Sequence, residues 1–129
     1  MSATKNAAGT KDRLCIKRVY APAAAADGVR VLVDRLWPRG IAKEKARVDL
    51  WLKDIAPSDA LRRRVHAGAL SWDEFAIAYG RELAQEPGKS AAAHLGELAR
   101  KQPVTLLYGS RDETHNNAAA LKAWLERKH

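Results

Sequence analysis

A chain of 129 residues suits one domain, and 47% apolar content is enough to build a core. The formal net charge of +8 points towards anionic partners (nucleic acid, nucleotides or phosphorylated metabolites), although a basic protein without any such partner has the same balance. A single cysteine, Cys15, excludes an internal disulfide and a cysteine-rich zinc site and fits a reducing cytoplasm, and no apolar run approaches the roughly 20 residues of a membrane helix.

Residues 1–13 lack the apolar stretch of a secretory leader and read as a disordered tail ahead of one domain, 14–129. Residues 14–20 are β-type and form the first predicted strand, in which Cys15 is expected to pack inertly. A second strand is expected over 29–34. The short spacer between them, 22–28, favours a hairpin by length, whereas a helical turn at 23–26 would allow a parallel crossover. Val31, Leu32 and Val33 are consecutive apolar residues, as in a central strand covered on both faces.

Pro38 and Gly40 end that strand in a shaped loop. Residues 43–54 are expected to include helix, with Val48, Trp51, Leu52 and Ile55 as its apolar stripe. Ser58 is a good N-cap for a short helix to His66 that turns Leu61 and Val65 inward. Ser71 and Glu74 have the spacing of a capping box, and the helix after them aligns Phe75, Tyr79 and Leu83. Glu82 and Glu86 read as exposed helix charges. Pro87-Gly88 stops this helix, and Ser90 opens the next, which buries Leu95 and Leu98. A third strand over 104–108 and a last helix from near Glu113 follow, with Ala118, Leu121 and Leu125 inward and Trp124 at the border. The order of elements implies an α/β fold: a single domain with a small, mainly parallel sheet and helices packed on it.

Two predicted strands end in similar polar segments. If the strands are parallel neighbours, both segments lie on one edge of the sheet, where α/β proteins bind ligands. The first supplies Asp34, Arg35, Trp37 and Arg39; the second supplies Tyr108, Arg111, Asp112, His115, Asn116 and Asn117. Arg35, Arg39 and Arg111 would clamp an anion, helped by the N-terminus of the last helix, with Trp37 or Tyr108 as a flat face for a base or sugar. Plainer roles exist for each: Asp34 as the ion-pair partner of Arg35 or Arg111, Trp37 as a lid, Asp112 as a helix cap, His115 as a surface residue. The run Arg62-Arg63-Arg64 reads as a solvated face that would touch phosphates if it borders the same groove. His66, His94 and His129 have no partners at metal-ligand spacing; neither a metal nor a cofactor is expected, and no phosphate loop or nucleophile elbow is present.

The segments 32–40 (LVDRLWPRG), 51–58 (WLKDIAPS) and 104–108 (VTLLY), with Arg111-Asp112 and His115-Asn116, resemble the YeaO-like family of small bacterial proteins, classed as a domain of unknown function. The resemblance covers residues 14–126 and implies a cytosolic α/β protein with no established activity. Longer members of the wider superfamily carry Asp-Val-Arg at the end of the equivalent strand, a glutamate after the late strand and Cys-His-Arg at the start of the helix that follows. The first motif implies Asp34 and Arg35 as site residues; at the other positions this chain has Ser110, Asn116, Asn117 and Ala118. The helical crossover of those members implies parallel pairing here.

The preferred expectation is a protein that binds a nucleotide, nucleic-acid end or phosphorylated metabolite at the two strand ends. One alternative is a hydrolase of a phosphoester or N-glycosidic bond with Asp34 as base and His115 as acid. The other is a non-enzymatic DNA-binding or regulatory module using Arg62–Arg64.

Overall fold

The computed structural model describes residues 14–128; the expected disordered tail, 1–13, and His129 lie outside the described residues. Strands β1 (Leu14–Arg18), β2 (Val29–Leu32), β3 (Leu50–Trp51) and β4 (Val104–Tyr108) form one sheet in the order β1-β4-β2-β3. Every pairing is parallel. The open choice between a hairpin and a crossover therefore resolves to a crossover. A 3₁₀ turn at Ala25–Asp27 lies between β1 and β2, and β4 inserts between them with Leu106 opposite both Ile16 and Val31.

Helices α1 (Lys43–Ala46), α2 (Asp59–His66), α3 (Trp72–Leu83), α4 (Gly88–Lys101) and α5 (Asn117–Lys128) complete a small α/β domain. Alternation along the strands divides the core. Leu14, Val31, Val33, Val104, Leu106 and Tyr108 pack with Phe75, Tyr79, Leu83, Leu95, Leu121 and Leu125 of the helices. On the other face, Val19, Leu32 and Leu107 are covered by Ala46, with Trp37, Ile41, Val48 and Trp51 around them. Covering both faces of β2 explains why its sequence is a continuous apolar run.

The local end signals act as expected at two helices. Ser58 Oγ accepts the Leu61 amide at 3.1 Å, and Ser71 and Glu74 exchange side chain-to-amide bonds of 3.1 and 2.8 Å. Elsewhere tertiary contacts override the local reading. The helix expected within 43–54 lasts four residues and ends where Arg47 takes a left-handed backbone with φ 51°. Its supposed stripe serves two cores: Val48 and Trp51 cover one sheet face, while Leu52 and Ile55 cover the other. Leu50 and Trp51 form a strand because they pair with Val31 and Leu32.

The last helix starts at Asn117, not near Glu113. Asn116 Oδ1 accepts the Ala119 amide at 2.8 Å and is its cap. Helix α4 starts at Gly88, before Ser90, whose amide and hydroxyl bond instead to Glu86. Val65 is 39% exposed rather than inward, and Cys15 is exposed on the edge strand rather than packed. Glu82 is no free surface charge: its carboxylate accepts the Ser58 amide at 2.9 Å and the Ser58 hydroxyl at 2.6 Å, tying α3 to the start of α2.

Candidate functional site

Parallel pairing of β2 with β4 brings both polar segments to one edge of the sheet, where a cleft of about 590 Å³ opens. Its lining includes Asp34, Arg35, Trp37 and Arg39 from the first segment and Asp112, His115, Asn116 and Asn117 from the second. Helix α2 adds Arg62, Val65 and His66, and the start of α3 adds Trp72 and Phe75.

Asp34 is the hinge between the two segments. Its Oδ2 accepts the Gly109 amide at 2.9 Å, and its Oδ1 accepts Asn117 Nδ2 at 3.1 Å. The same Asn117 amide group reaches Val33 O at 3.0 Å, and Trp51 Nε1 donates to Asp34 O at 2.7 Å. An ion pair with Arg35 or Arg111 was one expectation; among the described residues Asp34 has amide partners instead. Burial pushes the Asp34 carboxyl above its ordinary value, against the opposing pull of Asn117, Gly109 and the Arg62 charge.

The sign of this shift gives a pH prediction. A raised native pKa means that the folded state holds its proton where the unfolded state has lost it, so stability falls as pH rises from 3.8 to the raised native value. Asp34→Asn should remove that slope from urea unfolding measured across the same range. A variant that keeps the wild-type slope would refute the assignment to Asp34.

Arg35 is tethered: its guanidinium donates to Ala56 O at 3.2 Å and Pro57 O at 3.4 Å, which leaves it at the cleft wall. Arg39 is exposed at the lining, and its guanidinium has no partner among the described residues, although its own carbonyl accepts the Tyr20 hydroxyl at 2.6 Å. Arg62 borders the cleft while pairing with Asp59 at 2.9 Å. Trp37 rests edge-on against Trp51 with ring centroids 5.5 Å apart, and its Nε1 donates to Ile41 O. His115 stacks on Trp72 at 4.6 Å, before the helix rather than within its first turn.

Four expectations for the second segment need correction. Tyr108 offers no face to a ligand in this cleft: it is 2% exposed, packs in the helix-covered core and is not among the lining residues. Arg111 is exposed but is absent from the cleft lining, since the loop turns before the helix begins. The expected anion site on the backbone amides near residue 113 is taken by the chain itself. Asp112 Oδ1 accepts the Thr114 amide at 3.0 Å and the His115 amide at 2.9 Å, which holds the Asp112 carboxyl below its ordinary value. Asp112 thus caps a turn, not the last helix.

Sequence reasoning did not place His66 and Trp72 in the site. The signal was present for His66, since residues 62, 65 and 66 share one face of a helix; Trp72 gave none, because its position depends on how α3 packs. Among the described residues no three His, Cys, Asp or Glu side chains form a metal-ligand cluster, and no helix is long and apolar enough to cross a membrane.

Residues 13–129 match the family model described as "Inactive DUF488-N3 subclade". The chain is 46% identical over 109 residues to the uncharacterized protein YeaO of Escherichia coli K12, covering 84% of this chain and 93% of that protein. It is 41% identical over 109 residues to the uncharacterized protein Rv3073c of Mycobacterium tuberculosis H37Rv, covering 84% and 90%. The uncharacterized protein Mb3100c of Mycobacterium bovis matches to the same extent. No solved structure matches. With the family match spanning all the described residues, the chain belongs to the DUF488-N3 inactive subclade, the YeaO-like family.

Proposed function

We propose that this protein binds a phosphate-bearing ligand (a nucleotide, nucleic-acid end or phosphorylated metabolite) in the cleft beyond β2 and β4, without turning it over. The observation that carries the reading is the Arg39 guanidinium, unpartnered among the described residues, in a cleft also lined by Arg35 and Arg62. Guanidinium groups hold phosphate through paired, charge-assisted hydrogen bonds. Burial meanwhile disfavours the charged form of Asp34, and Asp112 spends its carboxylate on its own turn. Trp72, Trp37 and the 65% exposed Leu36 give the same cleft an apolar side.

Thermal shift at low salt with nucleotides and phosphosugars should find stabilising anions. Arg39→Ala should weaken the best of them about tenfold, the loss expected for one charge-assisted hydrogen bond of about 1.5 kcal/mol. If no anion raises the melting temperature, the reading is wrong.

Hydrolysis by Asp34 and His115 is the weaker reading. Both oxygens of Asp34 already accept hydrogen bonds and the His115 ring is stacked on Trp72. The family description as inactive supports the same preference. Turnover of a phosphodiester or N-glycoside that disappears in Asp34→Asn would reverse it.

A further inference from the structure

We infer that the ligand is the end of a single-stranded polynucleotide: its terminal nucleotide enters the cleft and the phosphate that follows lies against α2. The inference rests on the phosphate-binding reading above and adds to it a cation on the rim of the cleft. At about 100° per residue, the cleft-facing residues Arg62, Val65 and His66 occupy one side of α2. Leu61, buried in the core, fixes one flank of that side, and Arg63 stands on the opposite, outer flank next to His66. Arg64, about 200° from Arg62, lies on the side of α2 away from the cleft. Both are exposed, and neither has an ion-pair or hydrogen-bond partner among the described residues.

A mononucleotide held inside the cleft has no use for the Arg63 cation on its rim. A chain with a phosphate on every sugar does: Arg39 and Arg62 meet the phosphate at the end, and Arg63 meets the one that follows. The cleft, at about 590 Å³, is within the size range of sites for one small molecule and takes one nucleotide-sized group. Its apolar side, Trp72, Trp37, Leu36 and Phe75, offers contact to the face of a base. A base can present that face only when unpaired and unstacked, which selects a single-stranded end over a blunt duplex.

The test is fluorescence anisotropy at low salt with labelled decathymidylate, decauridylate and a blunt duplex of equal length, and with thymidine monophosphate as competitor. Decathymidylate or decauridylate should bind at least about tenfold tighter than the mononucleotide, the better of the two identifying the sugar preferred, and the duplex should bind less well. Arg63→Ala should weaken oligonucleotide binding several-fold, flatten its log-log salt slope by about 0.7, the value for one lost phosphate contact, and leave the mononucleotide unaffected. Arg39→Ala should weaken both ligands. Equal affinity for mononucleotide and oligonucleotide, with Arg63→Ala silent, overturns this inference while the phosphate-binding reading stands. Oligonucleotide binding that is indifferent to Arg39→Ala, or no weaker for the duplex, overturns entry of the end into the cleft. Failure of every oligonucleotide to bind overturns this inference, while the phosphate-binding reading is decided by the wider anion screen above.

Discussion

Gly28→Ala should remove a large share of the stability of the fold. Gly28 links the 3₁₀ turn at Ala25–Asp27 to β2 with φ +66°, and a Cβ built there lies 2.2 Å from Pro103 O and 2.8 Å from Pro103 Cβ. The obstacle is backbone that cannot rotate aside. Pro103 O also accepts the Val29 amide at 3.0 Å, beside the first rung between β2 and β4, so relieving the clash pulls apart the central strand pair. A loss of about 4 kcal/mol or more is expected, against the roughly 5–15 kcal/mol total of an ordinary domain. Gly68→Ala is the control. It has φ +74° but open space around its Cβ, and should cost only the roughly 1–2 kcal/mol of a left-handed non-glycine residue. Urea unfolding followed by circular dichroism compares the two; equal losses would mean that the clash is relieved by local movement.

Asp27→Ala should cost about 3–5 kcal/mol, the effect of leaving a buried charge without its partner. Asp27 and Arg30 are 7% and 4% exposed, and their side chains meet at 2.5 Å. Asp27 also accepts Lys17 Nζ at 2.8 Å and the Ala24 amide at 2.9 Å. The Arg30 guanidinium continues to Ala46 O at 2.8 Å and Arg47 O at 3.0 Å, satisfying carbonyls at the end of α1. One carboxylate therefore joins β1, the turn, β2 and the segment that covers the smaller core. Replacing both partners, as Asp27→Ala with Arg30→Met, should recover much of the loss, because no buried charge is left without a partner and Lys17, 25% exposed, can be hydrated. A double variant as unstable as the single one would place the cost in packing.

The same group predicts acid sensitivity. Burial tends to raise the Asp27 carboxyl, but the bonds from Lys17, Ala24 and Arg30 outweigh it and hold it below its ordinary value of 3.8. A lowered native pKa means stability that is fully present above the unfolded value and lost as pH falls below 3.8 through the native one. Asp27→Ala should lose that acid-side slope. The Asp34 window lies above 3.8 and has the opposite sign, so the two variants are distinguishable in one pH series.

The candidate site was legible in part. Asp34, Arg35, Trp37 and Arg39 follow a strand directly, and a strand end in a parallel sheet determines where its next residues emerge. The second segment was harder. Asp112, His115, Asn116 and Asn117 reach the cleft, but Tyr108 is turned into the core and Arg111 falls outside. Those outcomes depend on the turn that Asp112 closes and on the cap that Asn116 forms. Either side chain suits either task, so composition alone does not choose between them.

By itself the sequence determined what acts within a few residues. Ser58 and Ser71 open helices because a hydroxyl reaches an amide three positions on, and the run from Val31 to Val33 demands cover on both faces wherever the strand lies. The tertiary structure decided what depends on partners far along the chain. Leu50 and Trp51 became a strand because β2 had a free edge, and Glu82 became a partner because α3 packs beside Ser58. Asp34 has its carboxyl pKa raised because the assembled cleft wall buries it, an effect that outweighs the opposing pull of its amide donors on β4 and α5 and of the Arg62 charge. Burial and pairing are properties of the assembled surfaces, and they change the energy of a charge by more than its neighbours in sequence can.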